Sequence, residues 1–285
     1  MVLEFNKDFR IVTISMPKYA RKILDEYPLE TYKAVTTPHD KDLFKIQDSQ
    51  RLPKTEQKIF HTTVMRTLFY ASRVRPDVLS TVNFLTTRTR LGTATEADRS
   101  KLIRLLNFIH TTQQDDIMLG GDSDGVLRLR AYVDVFYGVH MDEKSHTGNV
   151  ITLGRDPIFC KSSKLKSVTK SSREAEILAL SDIVSAVAWI RYFVQEIGVD
   201  MEPPLLLEDN KAAIFLVTNG PSTAGRVRHV HIRNAFLNQY QANRTMQIIF
   251  CPTSQMIADI LTKHLPPPFY NIIRKLLLGY KIHPE

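Results

Sequence analysis

Hydrophobic residues change their spacing near residue 120. Before that point they recur every three or four positions, which is typical of amphipathic helices. After Gly120 they alternate with polar residues, most clearly over 126–135, where Leu129, Ala131 and Val133 share one face of a predicted strand. The pattern therefore predicts a mainly helical region, 1–121, followed by a second domain, 122–285.

The first region is predicted to contain two short strands within residues 2–16 and a helix from Pro17 to about Tyr27, because proline is tolerated in a first helical turn. Residues 31–57 are polar and contain two prolines, which indicates a linker. Helical spacing then predicts helices over 58–73, 77–90 and 95–111.

The second region alternates predicted strands with helices. Strands are predicted at 126–135, 147–153, 157–161, 165–169, 205–209 and 246–251. Helices are predicted at 172–197, 210–218, 230–242 and 254–264. This order predicts an α/β fold, with a mixed sheet flanked by helices.

The composition of the chain limits the classes of binding partner to be expected. The 285 residues carry a formal net charge of +8, which favours an anionic partner such as nucleic acid, although a mildly basic soluble protein is the simpler alternative. Cys160 and Cys251 lie in apolar runs without metal-ligand spacing, as expected of reduced thiols in a cytoplasmic or nuclear protein. No signal-peptide pattern is present, and no apolar run approaches the roughly 20 residues of a membrane helix, so we expect no membrane partner.

Four acids lie in stretches that otherwise predict core: Asp134, Glu176, Asp209 and Asp259. Each also has a simpler explanation. Asp134 can lie exposed on the polar face of its strand, Asp209 can cap the next helix, and Asp259 can pair with Lys263 one turn later. Buried acids are costly without a compensating positive group, so their convergence would indicate a cation site.

Helical phase separates two neighbouring acids. Glu176 continues the apolar stripe of the helix 172–197, which runs through Leu180, Ile183 and Val187. Glu174 lies on the opposite side, where an acid in a first turn suits the helix dipole and a serine N-cap. We therefore assign Glu176 to the candidate site and a capping role to Glu174.

The ligand chemistry of this set favours Mg²⁺ or Mn²⁺, which bind carboxylates, waters and phosphate oxygens. Two such ions roughly 4 Å apart can activate a water and stabilise the leaving oxygen of a phosphodiester. Zinc is disfavoured because no histidine or cysteine has metal-ligand spacing near these acids.

Two basic runs accompany the acids and are candidate contacts for a phosphate backbone. Solvated charged surfaces are the alternative explanation. The residues that we assign to nucleic-acid binding are Lys161, Lys164, Lys166, Arg226, Arg228 and His229.

Several segments in order resemble the ribonuclease H domain of copia-type LTR-retrotransposon polyproteins. They include YVDVF at 132–136, TGNVITLGRDPI at 147–158, KSSKLKSVTKSSREAEILAL at 161–180, LLLEDNKAAIFLVTN at 205–219 and CPTSQMIADILTKHL at 251–265. Upstream, MPKYARKIL at 16–24 and MRTLFYASRVRPDVLSTVNFL at 65–85 resemble the thumb and connection of the reverse transcriptase.

The resemblance implies a ribonuclease H-like sheet and an endonuclease that hydrolyses the RNA strand of an RNA–DNA hybrid with two Mg²⁺ ions. It maps the family's catalytic and metal-binding acids onto the same four positions. Asp134 and Asp209 would anchor the metals, Glu176 would hold the ion near the attacking water, and Asp259 would complete the second site. The 2′-hydroxyl would distinguish the RNA strand.

The chain departs from the family pattern around these acids. The departures are Phe136 for a second acid, Cys160 for Trp, Arg173 and Ile177 for Thr and Tyr, Ala224 for His and His231 for Asp. An inactive nucleic-acid-binding remnant is therefore the alternative function, and a structural subunit of a separate polymerase is a third. Because no Tyr-x-Asp-Asp motif occurs, we expect no DNA synthesis by this chain alone, and a separate palm domain is a candidate partner.

Overall fold

The computed structural model describes residues 1–27, 29, 31–90, 92–120, 126–219 and 228–280, without the side chain of His229. It divides into two compact units, residues 1–120 with 263–285, and residues 121–262. The segment 263–285, which the sequence assigned to the second domain, therefore belongs with the first unit. The assignment of the units to a thumb/connection and a ribonuclease H domain stays a prediction.

Unit 1 combines helices with a small antiparallel sheet of order β1-β2-β3. Its strands are β1 (Val2–Asn6), β2 (Ile11–Ser15) and β3 (Ile117–Leu119), and its helices are α1 (Pro17–Asp25), α2 (Lys54–Val74), α3 (Leu79–Thr86), α4 (Glu96–Thr111) and α8 (Pro267–Leu277). The predicted apolar stripe of α4 is buried, with Leu102, Leu105 and Leu106 fully enclosed. The strand β3 was not predicted from the sequence, since three residues are too few to show a period.

Unit 2 is built on a five-stranded mixed sheet of order β6-β5-β4-β7-β8. Its strands are β4 (Leu129–Phe136), β5 (His146–Leu153), β6 (Asp156–Lys164), β7 (Leu205–Glu208) and β8 (Gln247–Phe250). β4 pairs antiparallel with β5 and parallel with β7. The prediction of an α/β fold with a mixed sheet flanked by helices is confirmed.

The helices of unit 2 are α5 (Ser172–Glu196), α6 (Lys211–Asn219) and α7 (Arg228–Ala242). Leu129, Ala131 and Val133 face the same core as Ile183 and Val187 of α5, as the alternation along β4 predicted. α5 is buried against the sheet along this stripe, which fixes where its first turn lies.

α5 is also long and apolar enough, by length and composition, to cross a membrane, and it is the one such helix in the part of the chain described. The expectation that no apolar stretch approaches this length is therefore wrong. A core helix has the same composition, and the buried residues of α5 pack in the core of unit 2.

Two predicted elements differ in the structure. The strand predicted at 157–161 is present as part of the longer β6, which ends at Lys164, but the strand predicted at 165–169 is not formed. The helix predicted at 254–264 is replaced by two short 3-10 turns, Thr253–Gln255 and Ile257–Leu261, separated by the extended residue Met256. All five residues of the second turn are buried, so the segment has no polar face to present to water.

Candidate metal centre

The acids Asp134 and Asp209 lie side by side at the carboxyl ends of two neighbouring parallel strands. Tyr132 of β4 is in register with Leu207 of β7, and each acid follows two residues later. Asp134 is 2% exposed, and Asp209 is partly buried and accepts a hydrogen bond from the Thr253 hydroxyl at 3.2 Å. The carboxyl ends of parallel strands are the usual place for ligands in open α/β sheets.

The residue that caps the helix after this strand end is Asn210 and not Asp209, which was the alternative role for Asp209. Asn210 Oδ1 accepts hydrogen bonds from the backbone N–H groups of Ala212 at 3.1 Å and Ala213 at 3.2 Å, which caps α6. Asp209 is therefore not needed as the cap, and its carboxylate is turned to the cluster of acids.

Glu176 reaches the same place from the first turns of α5. Its side chain is 4% exposed, as its position on the buried stripe predicted. Glu174 instead belongs to the helix cap: its backbone N–H donates to Ser171 Oγ at 3.3 Å, and its Oε2 accepts from the backbone of Lys170 at 2.9 Å. The separation of the two acids by helical phase is therefore confirmed in the structure.

Asp259 enters from the second 3-10 turn and is 1% exposed. One carboxylate oxygen each of Asp134, Asp209 and Asp259 lie within 4.8 Å of one another. The structure thus brings three of the predicted acids together. The fourth, Glu176, joins them through Asp209, because both belong to a second group of three acids.

The second group contains an acid that the sequence analysis did not select. Glu208 is fully buried at the end of β7, and its carboxylate lies within 4.8 Å of those of Glu176 and Asp209. Its Oε1 accepts from the Asn210 backbone at 2.9 Å, whereas its Oε2 has no hydrogen-bond partner among the described residues. Glu208 shares a face of β7 with the core residue Leu206, but the continuous apolar run before it shows no alternation from which this could be predicted.

The electrostatics of Glu208 reflect this crowding. Burial, followed by the charges of Asp209 and Asp134, raises the pKa of Glu208 to about 8. Burial and neighbouring negative charges both disfavour the charged form of a carboxyl group. Among the described residues, both groups that have the geometry to hold a metal ion contain carboxylates alone, which suits a hard divalent cation and not zinc.

The predicted basic residues lie partly in one cleft of about 420 Å³. Lys161, Lys164 and Lys166 line it, together with Asn149 and Arg233. Lys164 is paired with Asp142 at 2.6 Å and Arg233 with Asp182, so Lys161 and Lys166 are the more exposed cations.

The position of the cleft follows from strand register. Val133, Asn149 and Lys161 lie opposite one another on three strands, and side chains that are directly opposite share a face. The cleft therefore lies on the α5 face of the sheet, and Asp134 points to the other face. Leu178 and Ala179, which line the cleft, follow Glu176 by two and three residues on α5, so the cleft begins within one helical turn of Glu176.

The other predicted basic residues are described only in part. Arg228 is exposed at the first position of α7. Arg226 and the side chain of His229 lie outside the described residues. Their assignment to nucleic-acid binding stays a prediction.

No protein-family model matches the chain. It is similar to the retrovirus-related Pol polyproteins from transposons RE2 and RE1 of Arabidopsis thaliana, with 27% identity over 267 residues and 28% over 268 residues, which is 92% of this chain in both cases. The corresponding polyprotein from transposon TNT 1-94 of Nicotiana tabacum is 25% identical over 94% of the chain. The chain spans 18–20% of the length of these relatives.

Among solved structures, the chain aligns with LC11-RNase H1, isolated from compost, at 18% identity and a TM-score of 0.37, over 47% of this chain and 92% of that one. LC11-RNase H1 in complex with an RNA/DNA hybrid aligns at 16% identity and a TM-score of 0.35, over 47% of this chain and 94% of that one.

Proposed function

Because this chain is related to a part of the Pol polyproteins of copia-type retrotransposons, as the motifs predicted, we propose that unit 2 is a ribonuclease H-type endonuclease. It would hydrolyse the RNA strand of an RNA–DNA hybrid. The observation that carries the proposal is the convergence of five carboxylates, including all four predicted acids, in two groups that share Asp209.

The residues present fit a pair of divalent cations. Asp134, Asp209 and Asp259 would hold one cation, Glu176 and Glu208 would hold the other with Asp209, and the unsatisfied Oε2 of Glu208 is an oxygen available for this purpose. Bound Mg²⁺ or Mn²⁺ would supply the activation of a water and the stabilisation of the leaving oxygen.

The chain itself would bind and orient the substrate. The cationic cleft beside α5, with Lys161 and Lys166 exposed, would bind phosphates of one strand and fix the register of the duplex. The buried position of the acids restricts the surface from which a phosphodiester can approach them. Selection of the RNA strand would depend on contacts to its 2′-hydroxyl groups.

The test is cleavage of a hybrid with labelled RNA by the purified 285-residue chain in Mg²⁺ or Mn²⁺. We expect Asp134→Asn and Glu176→Gln to lower the rate by on the order of 100-fold or more, since removal of even an outer-shell partner of a metal costs 10–100-fold. Glu174→Gln is the matched control, because this neighbouring acid serves the helix cap, and it should retain the activity of the unmodified chain.

A hybrid that is bound but not cleaved at any concentration of either cation would contradict the proposal. That result would favour the alternative, an inactive nucleic-acid-binding remnant. Phe136 and Ile177, which lie within two residues of Asp134 and Glu176 in the sequence, would then be the first positions to examine.

A further inference from the structure

One row of residues crosses the sheet beneath the segment that carries Asp259. Asp134 of β4 lies opposite Gly148 of β5, and Gly148 lies opposite Ser162 of β6. These three residues therefore share one face of the sheet. The second 3-10 turn lies across this row, and its contacts set the position of Asp259.

Two hydroxyl groups attach this segment to the row at its two ends. Thr262 Oγ1 donates to Asp134 Oδ2 and also lies 3.1 Å from the Asp259 carbonyl oxygen. Ser162 Oγ donates to the Leu261 carbonyl oxygen at 2.8 Å. The backbone on the C-terminal side of Asp259 is thus held both by an acid of the cluster and by a serine outside it.

Gly148 allows the segment to approach the sheet at backbone distance. A Cβ atom at this position would lie 2.8 Å from both the Ala258 carbonyl oxygen and Thr262 Cγ2, and 2.9 Å from Leu261 Cβ. Since real Cβ contacts do not occur at such distances, any side chain here would displace the segment.

The orientation of the Ser162 hydroxyl is itself fixed by two buried histidines. The Leu261 carbonyl oxygen can only accept, so Ser162 donates to it and accepts from His146 Nε2 at 2.7 Å. In neutral His146 the other nitrogen, Nδ1, is then an acceptor, and His140 Nε2 donates to it at 3.1 Å. The series of hydrogen bonds from His140 through His146 and Ser162 to the Leu261 carbonyl oxygen therefore runs in a single donor-to-acceptor direction.

We propose that Ser162, oriented by His146 and His140, is a positioning residue for the metal centre. It would hold the 3-10 turn against the sheet so that Asp259 keeps its separation from Asp134 and Asp209. The inference rests on the proposed function, because positioning has a consequence only if these carboxylates bind cations. Outer groups that orient ligands commonly control metal affinity in this way.

The test is the affinity for Mn²⁺ without nucleic acid, measured by electron paramagnetic resonance and by calorimetry on the full chain. We expect Ser162→Ala to weaken Mn²⁺ binding by about 10-fold, the lower end of the range for outer-shell substitutions. The matched control is Ser145→Ala. Ser145 is also buried, and its hydroxyl accepts a hydrogen bond from the Gly138 backbone N–H at 3.1 Å, but among the described residues it makes no hydrogen bond with residues 257–262.

Thermal unfolding of both variants is also measured in EDTA, so that a loss of Mn²⁺ affinity can be compared with a loss of stability. Equal Mn²⁺ affinity for Ser162→Ala and the unmodified chain would overturn the positioning role alone, and so would an equal loss for both variants. Failure of the folded, unmodified chain to bind Mn²⁺ would instead overturn the proposed function and the inference with it.

Discussion

At the scale of single residues, the buried pair His140 and His146 makes the stability of unit 2 depend on pH. Burial lowers the pKa of His140 to about 4 and that of His146 to about 3, with the charge of Lys164 and, for His146, of the other histidine adding to the effect. Between these values and about 6.5 the unfolded chain binds more protons than the folded chain. Stability is therefore fully present above pH 6.5 and decreases as the pH falls.

Urea unfolding at pH 7.5 and pH 5 measures this effect. Each histidine should lower the free energy of unfolding by about 2 kcal/mol at pH 5. This pH is about 1.5 units below the pKa of histidine in the unfolded chain, and each unit corresponds to about 1.4 kcal/mol. His146→Gln keeps a donor for Ser162 but has no titrating ring, so its loss of stability between the two pH values should be smaller. The buried His39 of unit 1, whose pKa is lowered to about 4, contributes equally in both proteins. Identical losses would contradict the assignment.

The acids differ in how far the sequence could predict them. Helical phase identified Glu176, because a 25-residue helix has a period that is long enough to read. The position at a strand end identified Asp209 but not Glu208. Only three apolar residues of β7 precede Glu208, and they do not alternate with polar residues. The contact between Ser162 and Leu261 joins residues 99 positions apart, and no local pattern predicts such a pairing.

At the scale of elements, the 3-10 turn Ile257–Leu261 depends on a surface that the sheet provides. It has no exposed face, and its contacts include the backbone at Gly148 and the hydroxyl of Ser162. The sequence predicted a helix over 254–264. Tertiary burial of every residue in the turn outweighs that local preference.

Gly148→Ala tests this dependence. The added methyl group should destabilise unit 2 by about 1–3 kcal/mol and weaken Mn²⁺ binding, since overpacking forces the segment away from Asp134. Gly198→Ala is the control, because no atom lies within 4 Å of its Cβ and only its positive φ of 81° is strained. It should lose stability without losing Mn²⁺ affinity. Unchanged affinity in Gly148→Ala would show that the segment does not need this close approach.

At the scale of the whole molecule, unit 1 is formed by two stretches of chain with unit 2 between them. α8 closes unit 1: Tyr270 Oη donates to the Asp77 carbonyl oxygen at 2.9 Å, and its ring packs edge-on against Phe108 at 5.8 Å. Arg274 pairs with Asp115, and the Met118 backbone N–H donates to the Leu278 carbonyl oxygen at 2.9 Å. The sequence did not predict that the segment after residue 262 belongs to unit 1, because the hydrophobic pattern changes visibly only near residue 120.

Tyr270→Ala should therefore destabilise unit 1 by about 3–5 kcal/mol, the usual cost of removing a buried aromatic side chain. Amide hydrogen exchange should show lost protection in α4 and retained protection in β5. Ile272→Ala on the same helix is the control, since Ile272 is 48% exposed and should change little. Equal effects of the two substitutions would contradict a closing role for α8.

This arrangement also sets an order of events during synthesis. Residues 121–262 leave the ribosome before α8 is made, so the sheet that carries the acids can form first. Unit 1 cannot be completed until α8 has been synthesised, because the hydrogen bond from Tyr270 to Asp77 joins residues 193 positions apart. Until then the Arg75–Asp77 ion pair, which is buried in the folded protein, lacks this contact. Contacts of that length form late. The acids of the candidate metal centre can thus be brought together in the nascent chain before its helical unit is complete.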